Sequence, residues 1–153
     1  MAGAAALISS NAFAATATTT FNVQLILQAA CTVSATNLDF GTQGVLTASV
    51  DVTSTVNVQC TNSTNYTVGL DKGLNGADVA NRKMKGSGAA TVNYSMYKDA
   101  GRTTNWGDTA GTGWASGTGN GAVQPLTVYG RVPAQTTPAP DTYNDTITVT
   151  VTY

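Results

Sequence analysis

The residues from Thr146 to Tyr153 alternate without exception: Ile147, Val149, Val151 and Tyr153 share one parity, and Thr146, Thr148, Thr150 and Thr152 share the other. Successive side chains of an extended chain point to opposite faces, so this pattern puts an apolar row on one side and a hydroxyl row on the other. A helix would scatter the same residues around its circumference. The strand so predicted is the strongest in the sequence, and it runs to Tyr153. No residue follows to form a further strand, so one sheet edge and a strip of core beside Ile147, Val149, Val151 and Tyr153 are expected to stay open.

Other segments show the same period. Val50, Val52, Val56, Val58 and Cys60 share a parity with Ser54 in the gap, and Tyr66, Val68 and Leu70 make a shorter strand. Val92, Tyr94 and Met96 form another, and Leu126, Val128 and Val132 one more, interrupted at Gly130. Residues 37–41 read as a short edge piece ending in a glycine turn. Threonine, valine, asparagine and glycine are abundant and glutamate is absent, which favours strands and turns over helices. About six main strands at short regular spacing predict a single all-β domain, an incomplete β-sandwich that in full would have about seven.

The beginning of the chain carries the complementary feature. Ala2 to Ile8 is apolar, and Ala12-Phe13-Ala14 offers the small-x-small pattern of signal-peptidase cleavage, although the positive n-region is missing. Residues 1–14 are therefore expected to be an export signal, with the mature start near Ala15. Beyond it, Phe21, Val23, Leu25 and Leu27 lie on one side of an extended chain, with Asn22 and Gln24 opposite. Part of this segment must lead into Cys31, so one molecule can hardly use it for its own open edge and for a neighbour's. Residues 15–28 are read as a donor strand for another subunit, and 29–153 as the sandwich that accepts one.

Cys31 and Cys60 are the only cysteines. In an exported chain an even count predicts one disulfide, contributing about 3 to 4 kcal/mol by loop-closure entropy for a loop of about 30 residues. A zinc site wants about four thiolate or imidazole ligands, and two thiols with no histidine do not supply them. No metal and no cofactor is expected.

The charge balance, 7 basic against 8 acidic residues, gives no basic footprint for nucleic acid. Histidine and glutamate are absent and both thiols are committed, which removes most general bases and nucleophiles. No catalytic residue, enzyme activity or small-molecule substrate is expected. Arg82, Lys83 and Lys85 read as a solvated loop or hairpin. Residues 101–121 hold seven of the 16 glycines and read as a long flexible surface loop. Its Trp106 and Trp114 are candidate surface contacts for an alternative function, a secreted binding module of adhesin or lectin type; a lid on the sandwich end is the competing role for such a tryptophan.

An ordered set of short motifs resembles a known family. Cys31-Thr-Val, Asn37-Leu-Asp-Phe-Gly, Val56-x-Val-x-Cys60, Tyr94-Ser-Met-Tyr-Lys-Asp99 and Trp106-Gly107 appear in order, followed by Tyr129-Gly-Arg-Val-Pro-Ala-Gln135 and Tyr143-x-Asp-Thr-x-x-Val-x-Val-x-Tyr153. Together they look like the spore coat protein U domain, which is shared with major subunits of archaic, Csu-type chaperone-usher pili. The resemblance implies an incomplete immunoglobulin-like fold completed by a neighbour's strand. It also implies a periplasmic chaperone, an outer-membrane usher, identical or related subunits as partners, and export to a cell-surface fibre or coat serving attachment and biofilm formation.

Overall fold

The computed structural model describes residues 14–109 and 113–153. The signal-like run, apart from Ala14, lies outside the described residues. Eight strands are described: β1 (Cys31–Ala35), β2 (Val50–Cys60), β3 (Asn65–Leu70), β4 (Arg82–Lys85), β5 (Thr91–Tyr97), β6 (Ala115–Thr118), β7 (Val123–Val132) and β8 (Val149–Thr152). They form a five-stranded sheet, β1-β2-β7-β5-β4, and a three-stranded sheet, β6-β3-β8, with antiparallel pairing throughout. The all-β sandwich expected from the alternation is present, with eight strands rather than about six.

Three of these strands were not marked by the alternation: β1, next to the 21–27 stretch, which forms no strand, and two more that composition concealed. β6 sits inside the glycine-rich stretch 101–121, so that stretch is not one continuous loop. Gly117 faces Tyr66 across the β3–β6 ladder, and a Cβ there would run into the Tyr66 phenol. The ring covers the glycine and supplies the packing that β6 lacks. β4 is the other, and its first residue corrects the expectation of a solvated basic cluster: Arg82 is fully buried. Its Nε donates to Asp71 O, its Nη1 to Val79 O, and its Nη2 to Leu70 O and Trp106 O, all at 2.7 to 2.8 Å. Four backbone carbonyls that would otherwise be short of donors are held by one planar fork.

Elsewhere the details explain the sequence. Val56, Val58 and Cys60 of β2 are buried, and Ser54, the polar member of that row, donates its hydroxyl to Thr36 O and shares a bond with Thr36 Oγ1. Gly130 belongs to the inward row of β7, where Leu38 occupies the space a Cβ would take. Residues 37–41 form no strand; Asp39 Oδ1 instead accepts the Gly41 amide, with Gly41 at φ +68°. Where β5 outruns β7, the Gln135 amide continues the ladder by bonding both the N–H and the C=O of Asn93.

The core consists of Val56, Val58, Cys60, Tyr66, Val68, Leu70, Val92, Tyr94, Met96, Trp106, Val128 and Val132, with Leu46 at its margin. Before β8 the chain passes from one sheet to the other: Asn144 exchanges both backbone bonds with Lys85 at the β4 edge, and Tyr143 Oη donates to Ala139 O four residues upstream. That return bond from a tyrosine ahead of a late strand is the tyrosine corner found in immunoglobulin-like sandwiches.

Candidate functional site: an uncovered strip at the sandwich border

β1 pairs with β2 so that Cys31, Val33 and Ala35 stand opposite Cys60, Val58 and Val56. Side chains directly opposite in a ladder share a face, so the β1 residues point to the core side of the sheet. Val56, Val58 and Cys60 are buried, whereas Val33 is 40% exposed and Ala35 is exposed. The same gradient appears in the second sheet. Val149 and Val151 of β8 stand opposite Leu70 and Val68, which are buried, yet Val149, Val151 and the preceding Ile147 are only half-buried. Tyr153 is 60% exposed.

β1 borders the larger sheet and β8 the smaller one. The two strands lie against each other with no ladder between them among the described residues. The border they form therefore presents core-facing apolar side chains under incomplete cover, beside two strand edges with unpaired backbone groups. Such an edge is a template for an added strand.

Residues 14–30 have no secondary structure and are exposed throughout. Phe21, Val23, Leu25 and Leu27 are 81 to 86% exposed, and Ile26 is exposed with them. The period-two pattern of residues 21–27 thus forms no strand within its own chain, and the structure does not bring these side chains to the β1–β8 border. The extension joins the domain at a clamp, where Thr61 N donates to Ala30 O and Ala30 N to Thr61 Oγ1. One residue later comes the Cys31–Cys60 disulfide, which links the border strand to the long central strand beside it.

The two tryptophans separate. Trp106 is 1% exposed and its indole N–H donates to Val68 O at 2.9 Å, so it packs inside the sandwich and is not a surface contact. Trp114 keeps partial exposure. Buried polar groups are structural: Asp145 accepts from Tyr94 Oη, Leu74 N and Asn75 Nδ2, and burial, reinforced by the Asp145 hydrogen bond, pushes the Tyr94 phenol far up. Burial also lowers the Arg82 guanidinium from its ordinary value. Among the described residues no cluster of three or more histidine, cysteine, aspartate or glutamate side chains could hold a metal ion.

Fold and site define an immunoglobulin-like sandwich whose border between two sheets is open and whose border strand β1 is tied to β2 by a disulfide. The chain matches the Spore Coat Protein U domain over residues 17–150 and belongs to that family. It is 34% identical over 167 residues to Protein U of Myxococcus xanthus, covering 98% of this chain and 93% of that protein. Among solved structures it is similar to a chain of the CsuC-CsuE chaperone-tip adhesion subunit pre-assembly complex from archaic chaperone-usher Csu pili of Acinetobacter baumannii. There the TM-score is 0.60 and the identity 27%, over 82% of this chain and 40% of the other, so this chain spans less than half the length of that neighbour. The fold is similar to that of a chaperone-usher pilus subunit.

Proposed function

We propose that this protein is an exported structural subunit of a surface fibre or coat, and that it polymerises by lending its N-terminal extension to the open border of a neighbour. The observation that carries the reading is the coexistence of Val33, Val149 and Val151 under incomplete cover with an extension whose Phe21, Val23, Leu25 and Leu27 contact almost nothing. A strand carrying those four residues would bury them against the strip while its backbone pairs with the free edges. Each large apolar side chain contributes about 1.5 to 3 kcal/mol when fully buried, so an extension inserted along its length is held firmly. Membership of the Spore Coat Protein U domain family and the similarity to the Csu pilus complex support a pilus or fimbrial subunit.

In this reading a periplasmic chaperone covers the border before assembly, an outer-membrane usher receives the subunit, and the next subunit's residues 15–28 take the chaperone's place. The polymer then serves surface attachment and biofilm formation. Deleting residues 15–27 is expected to abolish the heat-sensitive ladder of multimers on gels while leaving the domain folded; undiminished laddering would overturn the proposal.

A further inference from the structure

The outer face of the three-stranded sheet differs from the border strip in chemistry. Strand register aligns Ser116, Thr67 and Thr152 in one row across β6, β3 and β8, and Thr118 beside Asn65 in the next. Thr118 Oγ1 donates to Asn65 Oδ1 at 2.8 Å, which fixes that amide. Trp114 has the parity of Ser116 and Thr118, and together with Tyr153 it walls a solvent-open trough of about 620 Å³ over these rows. None of the side chains lining the trough is charged.

This lining selects a ligand class. An ionic ligand would lose hydration without meeting an opposite side-chain charge, and a wholly apolar one would cover the hydroxyls of Thr67, Ser116 and Thr152 without pairing them. A pyranose ring has a C–H face that packs on an aromatic side chain and a rim of hydroxyls that both donate and accept. Neighbouring strands recur at about 4.8 Å, close to the length of one sugar ring, so the hydroxyl row meets successive units of a linear chain. We infer that the outer face of β6-β3-β8, between Trp114 and Tyr153, binds a neutral polysaccharide. The hydroxyl rows lie on the opposite face of the sheet from Val149 and Val151, so strand exchange leaves them open, and Tyr153, which has the parity of those two valines, stands at the end of β8 where the trough and the border meet.

The test is calorimetric titration of the purified full chain with neutral linear hexasaccharides of glucose, mannose, xylose, galactose and N-acetylglucosamine, alongside an alginate hexamer and a peptide of residues 15–30. At least one neutral sugar is expected to bind with a Kd of about 1 mM or tighter. Trp114→Ala should weaken that binding at least about tenfold and Thr67→Val several-fold, while Trp114→Phe keeps most of it. Intrinsic fluorescence should respond to the sugar in the parent chain and stop responding in Trp114→Phe, since Trp106 is buried. Thermal unfolding checks that the variants are folded; should Trp114→Ala fail to fold, Trp114→Phe and Thr67→Val decide the matter through the fluorescence response and the affinity. Binding of none of the five neutral sugars, equal affinity in the folded variants, or Trp114-dependent binding of alginate or the peptide in preference to the sugars would each overturn the inference.

Discussion

Val33 and Val58 are direct cross-strand partners on one face of a sheet, and Val58 is completely buried while Val33 is 40% exposed. The second sheet stops covering the first between these two positions. Substituting each by aspartate should therefore give opposite phenotypes. Val58→Asp places a charge in the core and should prevent folding. Val33→Asp should change stability by no more than about 1 kcal/mol yet block multimer formation, read as loss of the heat-sensitive ladder by a chain whose urea midpoint is nearly unchanged.

The disulfide joins positions 29 residues apart. Loop-closure entropy assigns it about 3 to 4 kcal/mol, added to the one-sided ladder by which the five-residue border strand β1 is held on β2. The Cys31→Ser, Cys60→Ser double variant is expected to lose that amount in urea unfolding. Hydrogen exchange should show β1 opening before β2 and β7.

Arg82 is expected to tolerate no substitution. Lysine keeps the charge but offers one compact ammonium where a planar fork reaches the carbonyls of Leu70, Asp71, Val79 and Trp106. Arg82→Lys should cost at least about 3 kcal/mol through carbonyls left short of donors, measured by urea denaturation. Near-ultraviolet dichroism should report the disturbance at Trp106.

Asp99 closes the turn after β5. Its carboxylate accepts the amides of Thr103 and Thr104, and these bonds, Thr103 first, hold its pKa down to about 2 from an ordinary 3.8. A value lower in the folded state than in the unfolded one stabilises the turn fully above the ordinary value, and that contribution is lost as pH falls through about 2. The Thr103 and Thr104 amide resonances should thus be steady at pH 4 and shift around pH 2. In Asp99→Asn that titration should vanish.

Gly73 has φ +75°, and a Cβ on it would fall on the Asp145 carboxylate. Gly73→Ala should push Asp145 off Tyr94, Leu74 and Asn75, lowering the thermal midpoint by several degrees. A rise of the Tyr94 ring's mobility in NMR spectra would accompany it.

Strands β2, β3, β5, β7 and β8 were legible because each buries one face and so must alternate. β4 and β6 were not: three basic residues within a stretch of four and a glycine-rich segment both read as solvent, and it takes three-dimensional neighbours, the carbonyls around Arg82 and the Tyr66 ring over Gly117, to make them strands. The open border was legible in part, since Ile147, Val149 and Val151 show an apolar row. That Val33 and Ala35 form its other margin follows from register, which sequence spacing leaves free. Trp106 and Trp114 looked alike because both sit among glycines; only packing separates a core residue from a surface one. A signal was nonetheless present, since Trp106 follows Tyr94 and Met96 closely enough for a short turn to fold it back onto β5.

The placement of Cys31 also has a mechanical meaning. Any pull on residues 14–30 enters the domain at the Ala30–Thr61 clamp and, one residue on, reaches a covalent bond to Cys60 at the end of the eleven-residue strand β2. Tension is then shared by a strand laddered to β7 over most of its length, and the five residues of β1 need not be peeled off one bond at a time. The short border strand β1 is thereby taken out of the load path.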